Sequence, residues 1–331
     1  MTELQSPNPI HQLCVVLLNY KTPQLTIDCL NSLVPQARNL GAKVVVVDNK
    51  SPDKSVKIIS KWIAESGYSE NIDLVCSTTN GGFASGNNIG IKHTDAEFYL
   101  LLNSDTLLRD EALVTMLSAI SSEDSIGLLS PRLEWQDGEP QESCFRFHRP
   151  VGQLLSSSNT GIFFKLFPNL EVAHRVYNSS ADYEWSSFAC IMVRKKVFEQ
   201  LGLLDDKFFM YFEDVEFCWR AIKKGWRVHN HPEAKVVHLR GGSSPVKGNI
   251  IERKRQARYF YESRTRYFYL LFGRSGLLIA NLCWTLGWLV AGIRSIFQKQ
   301  FQIPACKKEW RDIWINFFHP EKPFTHPDTY K

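Results

Sequence analysis

The chain has 331 residues, of which 44% are apolar and 22% are charged, and its formal net charge is +5. This composition is typical of a globular protein and excludes collagen-like, coiled-coil and largely disordered chains. The length allows either one large α/β domain or two smaller domains.

The first half of the chain alternates apolar runs with helical patterns. We predict strands over 13–19, 43–48, 72–77, 98–103 and 126–130, and helices near 23–34, 53–66, 83–92 and 110–120. The strands are continuous runs of Val, Leu and Ile, which are typical of a parallel sheet covered by helices on both faces. The predicted fold class is therefore α/β with a mostly parallel central sheet.

Polar residues follow these strands. Asn19 ends the first strand, Asp48 ends the second, and Asn103 and Asp105 lie at the end of the fourth. Ligands of parallel sheets bind beyond the carboxyl ends of the strands, so the sequence predicts one polar cleft at this edge. No G-x-G-x-x-G follows the first strand and no P-loop motif occurs, so dinucleotide oxidoreductases and P-loop enzymes are not supported.

A glycine-rich loop, NGGFASGNN, follows the third strand and contains Gly82. Glycines let backbone N–H groups approach a phosphate or a sugar closely, with a helix N-terminus behind them. Asp105 beside a diphosphate would hold Mg²⁺ or Mn²⁺, although it could also cap a helix. His238 ends the apolar run KVVHL, where a lone histidine is usually structural unless it has a partner.

The second half contains a predicted strand over 188–193, a short helix from Lys195 and a helix from near Glu213 to Gly225. Asp214, in the first turn of the last helix, follows an aromatic run, where partial desolvation raises proton affinity. It is the candidate general base, with complementation of the helix dipole as the alternative.

A basic, aromatic stretch over 251–274 precedes 19 uncharged residues over 275–293. Such a stretch suits a nucleic-acid groove or an anionic lipid surface, and the apolar neighbour favours lipid. The apolar segment could span a membrane, lie in its interface, or be a buried helix of a soluble domain.

The eight cysteines show no zinc-ligand or disulfide pattern, so we expect reduced cysteines in the core. Residues 1–12 lack the features of a secretory signal, and we expect a short tail on a cytoplasmic chain.

Several motifs follow one another along the chain: VVVVDNKSPD, NGGFASGNNIGI, FYLLLNSDTLL, GLLDDKFFMYFEDVEFCWRAIKKGW and VVHLRGGSS. In this order they resemble glycosyltransferase family 2, in particular its bacterial rhamnosyltransferase-like members. The resemblance implies a GT-A domain over 13–245, with a nucleotide half over about 13–130 and an acceptor half over about 131–245. Residues 246–331 would then form a helical, membrane-associating extension. Weakly periodic residues 136–184 could shape the acceptor side.

The same resemblance assigns roles to residues. It implies that Asp48 holds the nucleotide base, and that residues lining the nucleotide-sugar site include Asn19, Gly82, Asn87 and Asn103. It implies metal contacts from Asp105 and His238, and a catalytic base at Asp214. Two departures are Asn103 at the first position of the D-x-D motif and Phe188 where relatives often have glycine.

The implied activity is inverting transfer of a sugar from a nucleotide diphosphate, with Mg²⁺ or Mn²⁺ as cofactor. The first choice of donor is dTDP-rhamnose, with UDP-galactose and UDP-N-acetylhexosamine as alternatives. A glycan or a polyprenyl-diphosphate-linked acceptor at the inner face of the cell membrane is expected, in cell-surface polysaccharide synthesis. The other hypotheses are a non-catalytic nucleotide-sugar or membrane-binding homologue, and a nucleic-acid-binding protein, which the apolar segment argues against.

Overall fold

The computed structural model describes residues 11–174, 176, 178–240 and 246–330, except for the side chains of residues 162–164 and 247. Residues 1–10 of the predicted tail lie outside the described residues. So does the GGSS end of the VVHLRGGSS motif.

The described chain contains both long and very short elements. The strands are β1 His11–Asn19, β2 Lys43–Asp48, β3 Ile72–Cys76, β4 Ala96–Asn103, β5 Thr106–Leu108, β6 Ile126–Glu134, β7 Cys144–Phe145, β8 Ala181–Asp182, β9 Trp185–Ser186, β10 Cys190–Arg194 and β11 Arg227–His238. The α-helices are α1 Pro23–Leu40, α2 Ser55–Glu65, α3 Gly82–His93, α4 Ala112–Ser122, α5 Gly152–Ser158, α6 Gly161–Leu166, α7 Lys195–Leu201, α8 Glu213–Lys223, α9 Val246–Ile251, α10 Arg258–Phe297 and α11 Glu309–Asp312.

A central sheet runs in the order β3-β2-β1-β4-β10-β6-β11-β5, with β8 paired to β11, and β7 and β9 form a separate pair. Strands β1 to β4, β6 and β11 share one direction, whereas β5, β8 and β10 are antiparallel to their neighbours. The α/β fold class with a mostly parallel sheet is therefore confirmed.

Helices cover both faces of the sheet, as the strand patterns predicted. In β1, Leu13, Val15 and Leu17 face one core with α1, α2 and α4, while Cys14 and Val16 face the other core. The second core contains residues of α3, α7, α8 and α10. Because both faces are buried, the strands are apolar throughout rather than alternating.

Most predicted elements match the structure within a few residues. The main difference is α1, which continues past Pro35 to Leu40, whereas the sequence predicted an end near residue 34. Val34 and Ala37 are buried against the core, and this packing outweighs the hydrogen bond that the proline removes. The prediction that the cysteines are core residues is wrong for Cys76, which is exposed at the end of the edge strand β3, and holds only in part for the half-buried Cys283 and Cys306.

The C-terminal region packs onto the second face of the sheet rather than extending away from it. Tyr267, Phe268 and Leu277 of α10 belong to the second core, and α5 lies along α10. The helical backbone is interrupted at Gly273, whose φ of 69° is left-handed. Among the described helices, α10 alone has the length and apolar character needed to cross a bilayer.

Candidate active site

A cavity of about 230 Å³ opens at the carboxyl edge of the sheet. Its walls come from the ends of β1, β2 and β4, the loop before α3, the start of α8 and the start of α10. The lining side chains and backbone atoms belong to Leu18, Tyr20, Asn49, Asn80, Gly82, Phe83, Asn103, Ser104, Asp105, Ser187, Phe188, Ala189, Phe209, Met210, Tyr211, Glu213, Asp214, His238 and Tyr259.

Below the cavity, hydrogen bonds tie neighbouring strand ends together. The Asn19 amide donates to the Asp48 carboxylate at 2.7 Å, and the backbone N–H of Ser51 donates to the same carboxylate at 2.8 Å. Thr22 and Thr26 donate hydroxyl hydrogen bonds to the side-chain Oδ1 of Asn19 at 3.2 and 2.9 Å. Both Asn19 and Asp48 are fully buried. They fix the geometry of the strand ends but do not line the cavity itself.

The glycine-rich loop is connected to this layer through amide groups. The Asn49 amide donates to the Asn80 side-chain oxygen at 3.0 Å and to the Gly82 carbonyl at 2.9 Å. Asn87 is buried and is not a lining residue; its amide donates to the carbonyl of Phe83 in its own helix at 3.0 Å. Asn49 and Asn80, which lacked an individual prediction, thus border the cavity more directly than Asn87.

Gly82 joins this loop to the opposite wall. Its φ is +82°, and a Cβ at this position would lie 1.9 Å from the carbonyl oxygen of Phe209. The next residue, Phe83, donates its backbone N–H to that same carbonyl at 2.8 Å. Glycine is required here because a side chain would separate the two walls.

Asp105 and His238 meet although 132 other residues separate them in the chain. Antiparallel pairing of β11 with β5 places His238 opposite Thr106, and the His238 Nε2 lies 3.6 Å from an Asp105 carboxylate oxygen. The His238 Nδ1 is buried and has no hydrogen-bond partner among the residues that the structure describes. Imidazole and carboxylate groups both bind Mn²⁺, and carboxylates bind Mg²⁺, so the pair fits a divalent cation.

Asp214 sits in the first turn of α8, after a backbone segment of unusual geometry. Tyr211 and Phe212 have left-handed φ values of 72° and 70°. Such strain requires external support. Phe212 packs against Phe260 and Tyr267 of α10 at ring centroid distances of 5.8 and 5.2 Å. The helix α10 therefore holds the segment that orients Asp214.

The two adjacent acids at the start of α8 both have raised pKa values. Burial raises the pKa of Asp214 to about 6, opposed by backbone N–H groups that include those of Val215 and Phe188. Burial and the neighbouring Asp214 charge raise the pKa of Glu213 further. One oxygen of Glu213 is buried and has no hydrogen-bond partner within the described part of the chain, which disfavours the charged form. Asp214 is thus the acid that can ionise near neutral pH and accept a proton.

The basic, aromatic stretch over 251–274 is buried only in part. Arg264 and Arg266 are buried; Arg264 donates to Asn281 at 2.7 Å, and Arg266 pairs with Asp205. The other cations are mostly exposed: Lys254, Arg255, Arg258 and Arg274. Residues 261–268 therefore build the interior, and lipid binding by the exposed cations stays a prediction. Long-range packing decides which of these residues are buried, and no local pattern in the sequence signals it.

Of the predicted site residues, Gly82, Asn103, Asp105, Asp214 and His238 line one cavity. Asn19 and Asp48 support the cavity from below, and Asn87 bonds within its own helix, α3.

Comparisons with known proteins agree with this architecture. Low-salt glycan biosynthesis hexosyltransferase Agl10 of Haloferax volcanii is 25% identical over 303 residues, which cover 89% of this chain and 88% of that protein. The dTDP-rhamnosyl transferase RfbF of Shigella flexneri is 26% identical over 259 residues, covering 76% and 78% of the two chains.

Among solved structures, the mannosyltransferase PcManGT from Pyrobaculum calidifontis, in complex with GDP-Man and Mn²⁺, aligns with a TM-score of 0.52. The alignment covers 95% of this chain and 87% of that one at 17% identity, and it supports the GT-A fold alone. The family model described as glycosyl transferase family 2 matches residues 14–202, more than half of the chain. The protein therefore belongs to glycosyl transferase family 2.

Proposed function

We propose that this protein is an inverting glycosyltransferase that moves a sugar from a nucleotide diphosphate to a glycan or lipid-linked acceptor. The observation that carries the proposal is the presence of Asp214, Asp105 and His238 in one cavity at the carboxyl edge of the sheet. This arrangement offers a proton acceptor and a cation-binding pair to the same bound substrates.

In the proposed reaction, Asp214 removes the proton of an acceptor hydroxyl as its oxygen attacks the anomeric carbon of the donor. The bond to the diphosphate breaks on the opposite face, the nucleoside diphosphate leaves with the bonding electrons, and the configuration inverts. The raised pKa of Asp214 favours this role, since a base works best when its pKa is near the working pH.

Asp105 and His238 would hold a divalent cation, with diphosphate oxygens and water as the remaining ligands. Within the described residues, no group of three His, Cys, Asp or Glu side chains forms a complete metal site. This incomplete set suits Mg²⁺ or Mn²⁺, which share ligands between carboxylate and substrate phosphate. When bound, the cation would neutralise charge that develops on the leaving diphosphate.

The nucleotide is proposed to lie over residues of the 13–130 half, where Asn19 and Asp48 fix the strand ends beside Gly82, Asn87 and Asn103. The acceptor is proposed to enter from the 131–245 half, beside Phe188. Similarity to the Shigella flexneri relative supports dTDP-rhamnose as donor, with UDP-galactose and UDP-N-acetylhexosamine as alternatives. The setting would be polysaccharide synthesis at the cytoplasmic face of the membrane.

The test is thermal stabilisation of the purified protein by dTDP-rhamnose and UDP-sugars, with and without Mn²⁺, because a ligand of the native state raises Tm. We expect one nucleotide class to raise Tm in a Mn²⁺-dependent way. His238→Ala should weaken Mn²⁺ binding about tenfold, within the range seen for lost metal-site partners. Exposed His319→Ala is the control. The proposal would be contradicted if no nucleotide raised the Tm. It would also be contradicted if NMR showed that the transferred sugar keeps its anomeric configuration.

A further inference from the structure

A row of apolar side chains projects from the second half of α10. The side chains are between 40% and 74% exposed, and we call them the apolar ridge: Leu278, Leu282, Leu286, Leu289, Ile293 and Ile296. Their spacing of three or four residues places them on one side of the helix. A contiguous apolar surface of this kind marks an interaction site rather than ordinary solvent-exposed surface.

The other side of this helix is fixed to the protein. Gly287 touches α5 so closely that a Cβ would lie 2.1 Å from the Ser157 hydroxyl and 2.6 Å from the Leu154 carbonyl. Buried Asn281 accepts from Arg264 at 2.7 Å and donates to the Ile313 carbonyl at 3.1 Å. A bilayer-spanning orientation would pull these groups out of their contacts and leave the Arg264 charge in hydrocarbon. The fold thus offers only one face of the helix to a partner.

The chain around the ridge is basic. Residues 274–308 contain five Lys or Arg and no Asp or Glu, although the whole chain has 39 basic and 34 acidic residues. Arg274, Lys299, Lys307 and Lys308 are exposed. Two copies of the chain joined through the ridge would bring these equal charges together, which disfavours a dimer. An anionic partner is favoured on the same ground.

We propose that the apolar ridge lies in the surface of an anionic bilayer, with α10 parallel to the membrane and its charged flanks at the lipid headgroups. An apolar helix face with flanking cations binds in this way, at a depth of about 5–10 Å. The inference is independent of sugar transfer, because it concerns a surface outside the cavity.

The experiment measures sedimentation of the full chain with vesicles of phosphatidylcholine alone and with equimolar phosphatidylglycerol, without nucleotide. We expect strong binding only to the anionic vesicles. The triple variant Leu282→Gln, Leu286→Gln and Leu289→Gln should bind about tenfold more weakly or worse, since it removes the centre of the buried face. The double variant Lys299→Glu and Lys307→Glu should bind the anionic vesicles about thirtyfold more weakly or worse, since it reverses two of the cations near the surface.

The matched control is Ile58→Gln with Val114→Gln, which changes apolar side chains of similar exposure on α2 and α4. It should bind vesicles like the unmodified protein, and the Tm of each variant shows whether it folds. Four results would overturn the proposal. Three are no binding by the unmodified protein, equal binding by the folded triple variant, and a concentration-dependent dimer that the triple variant abolishes. The fourth is resistance of the membrane-bound protein to alkaline carbonate extraction, which would indicate a spanning helix.

Discussion

The two walls of the cavity are built by different means. The wall at the ends of β1, β2 and β4 rests on a layer of amides and hydroxyls that bond to each other over short distances, such as Asn19 to Asp48 at 2.7 Å. The wall that carries Asp214 consists of a strained segment, with left-handed Tyr211 and Phe212, held by aromatic packing on α10.

We therefore expect the first wall to serve mainly in binding and the wall with Asp214 to serve in proton transfer. A hydrogen-bonded layer on a rigid sheet is preorganised for a ligand, and its geometry persists when one distant side chain changes. The acid wall depends on contacts from remote parts of the chain, so its geometry responds to changes in α10 and in the C-terminal segment. We therefore expect substitutions in the acid wall to change turnover, and substitutions where the walls meet to change stability and binding together.

The largest expected effect is that of Asp214→Asn. The amide keeps the size of the side chain but cannot accept the acceptor proton, so kcat should fall about 10³-fold, within the range of general base catalysis. The dissociation constant of the nucleotide, measured by calorimetry with Mn²⁺, should stay within about twofold of that of the unmodified enzyme. A group that acts only in the transition state contributes little to binding of the nucleotide in the ground state. The control is Asp206→Asn at an exposed position, which should have the kcat of the unmodified enzyme. Normal turnover by Asp214→Asn would show that Asp214 is not the base.

The pH dependence follows from the same carboxyl group. Burial raises the pKa of Asp214 to about 6, and only the ionised form accepts a proton, so kcat/KM should decrease as the pH falls through about 6. With an unperturbed aspartate the same decrease would be centred near pH 4. A pH profile flat between these values would show that ionisation of a buried acid does not limit the reaction.

The next effect concerns Gly82, where the walls touch. Gly82→Ala would place a methyl group 1.9 Å from the Phe209 carbonyl oxygen at a left-handed φ of +82°. We expect the free energy of unfolding to fall by about 3 kcal/mol, combining backbone strain and overpacking, and nucleotide binding to weaken. Urea denaturation and nucleotide titration measure the two effects.

Gly138→Ala is the matched control for this substitution. Gly138 has a φ of +89°, but a Cβ there would meet nothing within 4 Å. The control therefore isolates backbone strain, for which we expect about 1 kcal/mol and no change in nucleotide binding. If both variants lost the same free energy of unfolding, the contact between the walls would contribute nothing to stability.

The sequence predicted residues of both walls, including Asp214, but not the contacts that hold them. Asp48 and Asn103 end apolar strands, and the rule that ligands bind at carboxyl ends brings them together without a structure. The position of Asp105 beside His238 needed the antiparallel pairing of β5 with β11, which short strands do not signal. The burial of Arg264 was missed because its partners Gln153 and Asn281 are distant in sequence. Local patterns could not reveal such contacts.

The smallest predicted effect lies where the C-terminal segment reaches the sheet wall. The His326 Nε2 is 2.9 Å from the Asn80 carbonyl oxygen, and the His326 ring packs against Phe209 at 6.1 Å. His326→Ala removes one hydrogen bond of about 1 kcal/mol, so nucleotide affinity should weaken by up to about fivefold. Because Asp214 is untouched, kcat should hold, and His319→Ala should change neither constant. A fall in kcat with unchanged affinity would instead assign the C-terminal segment to the acid wall.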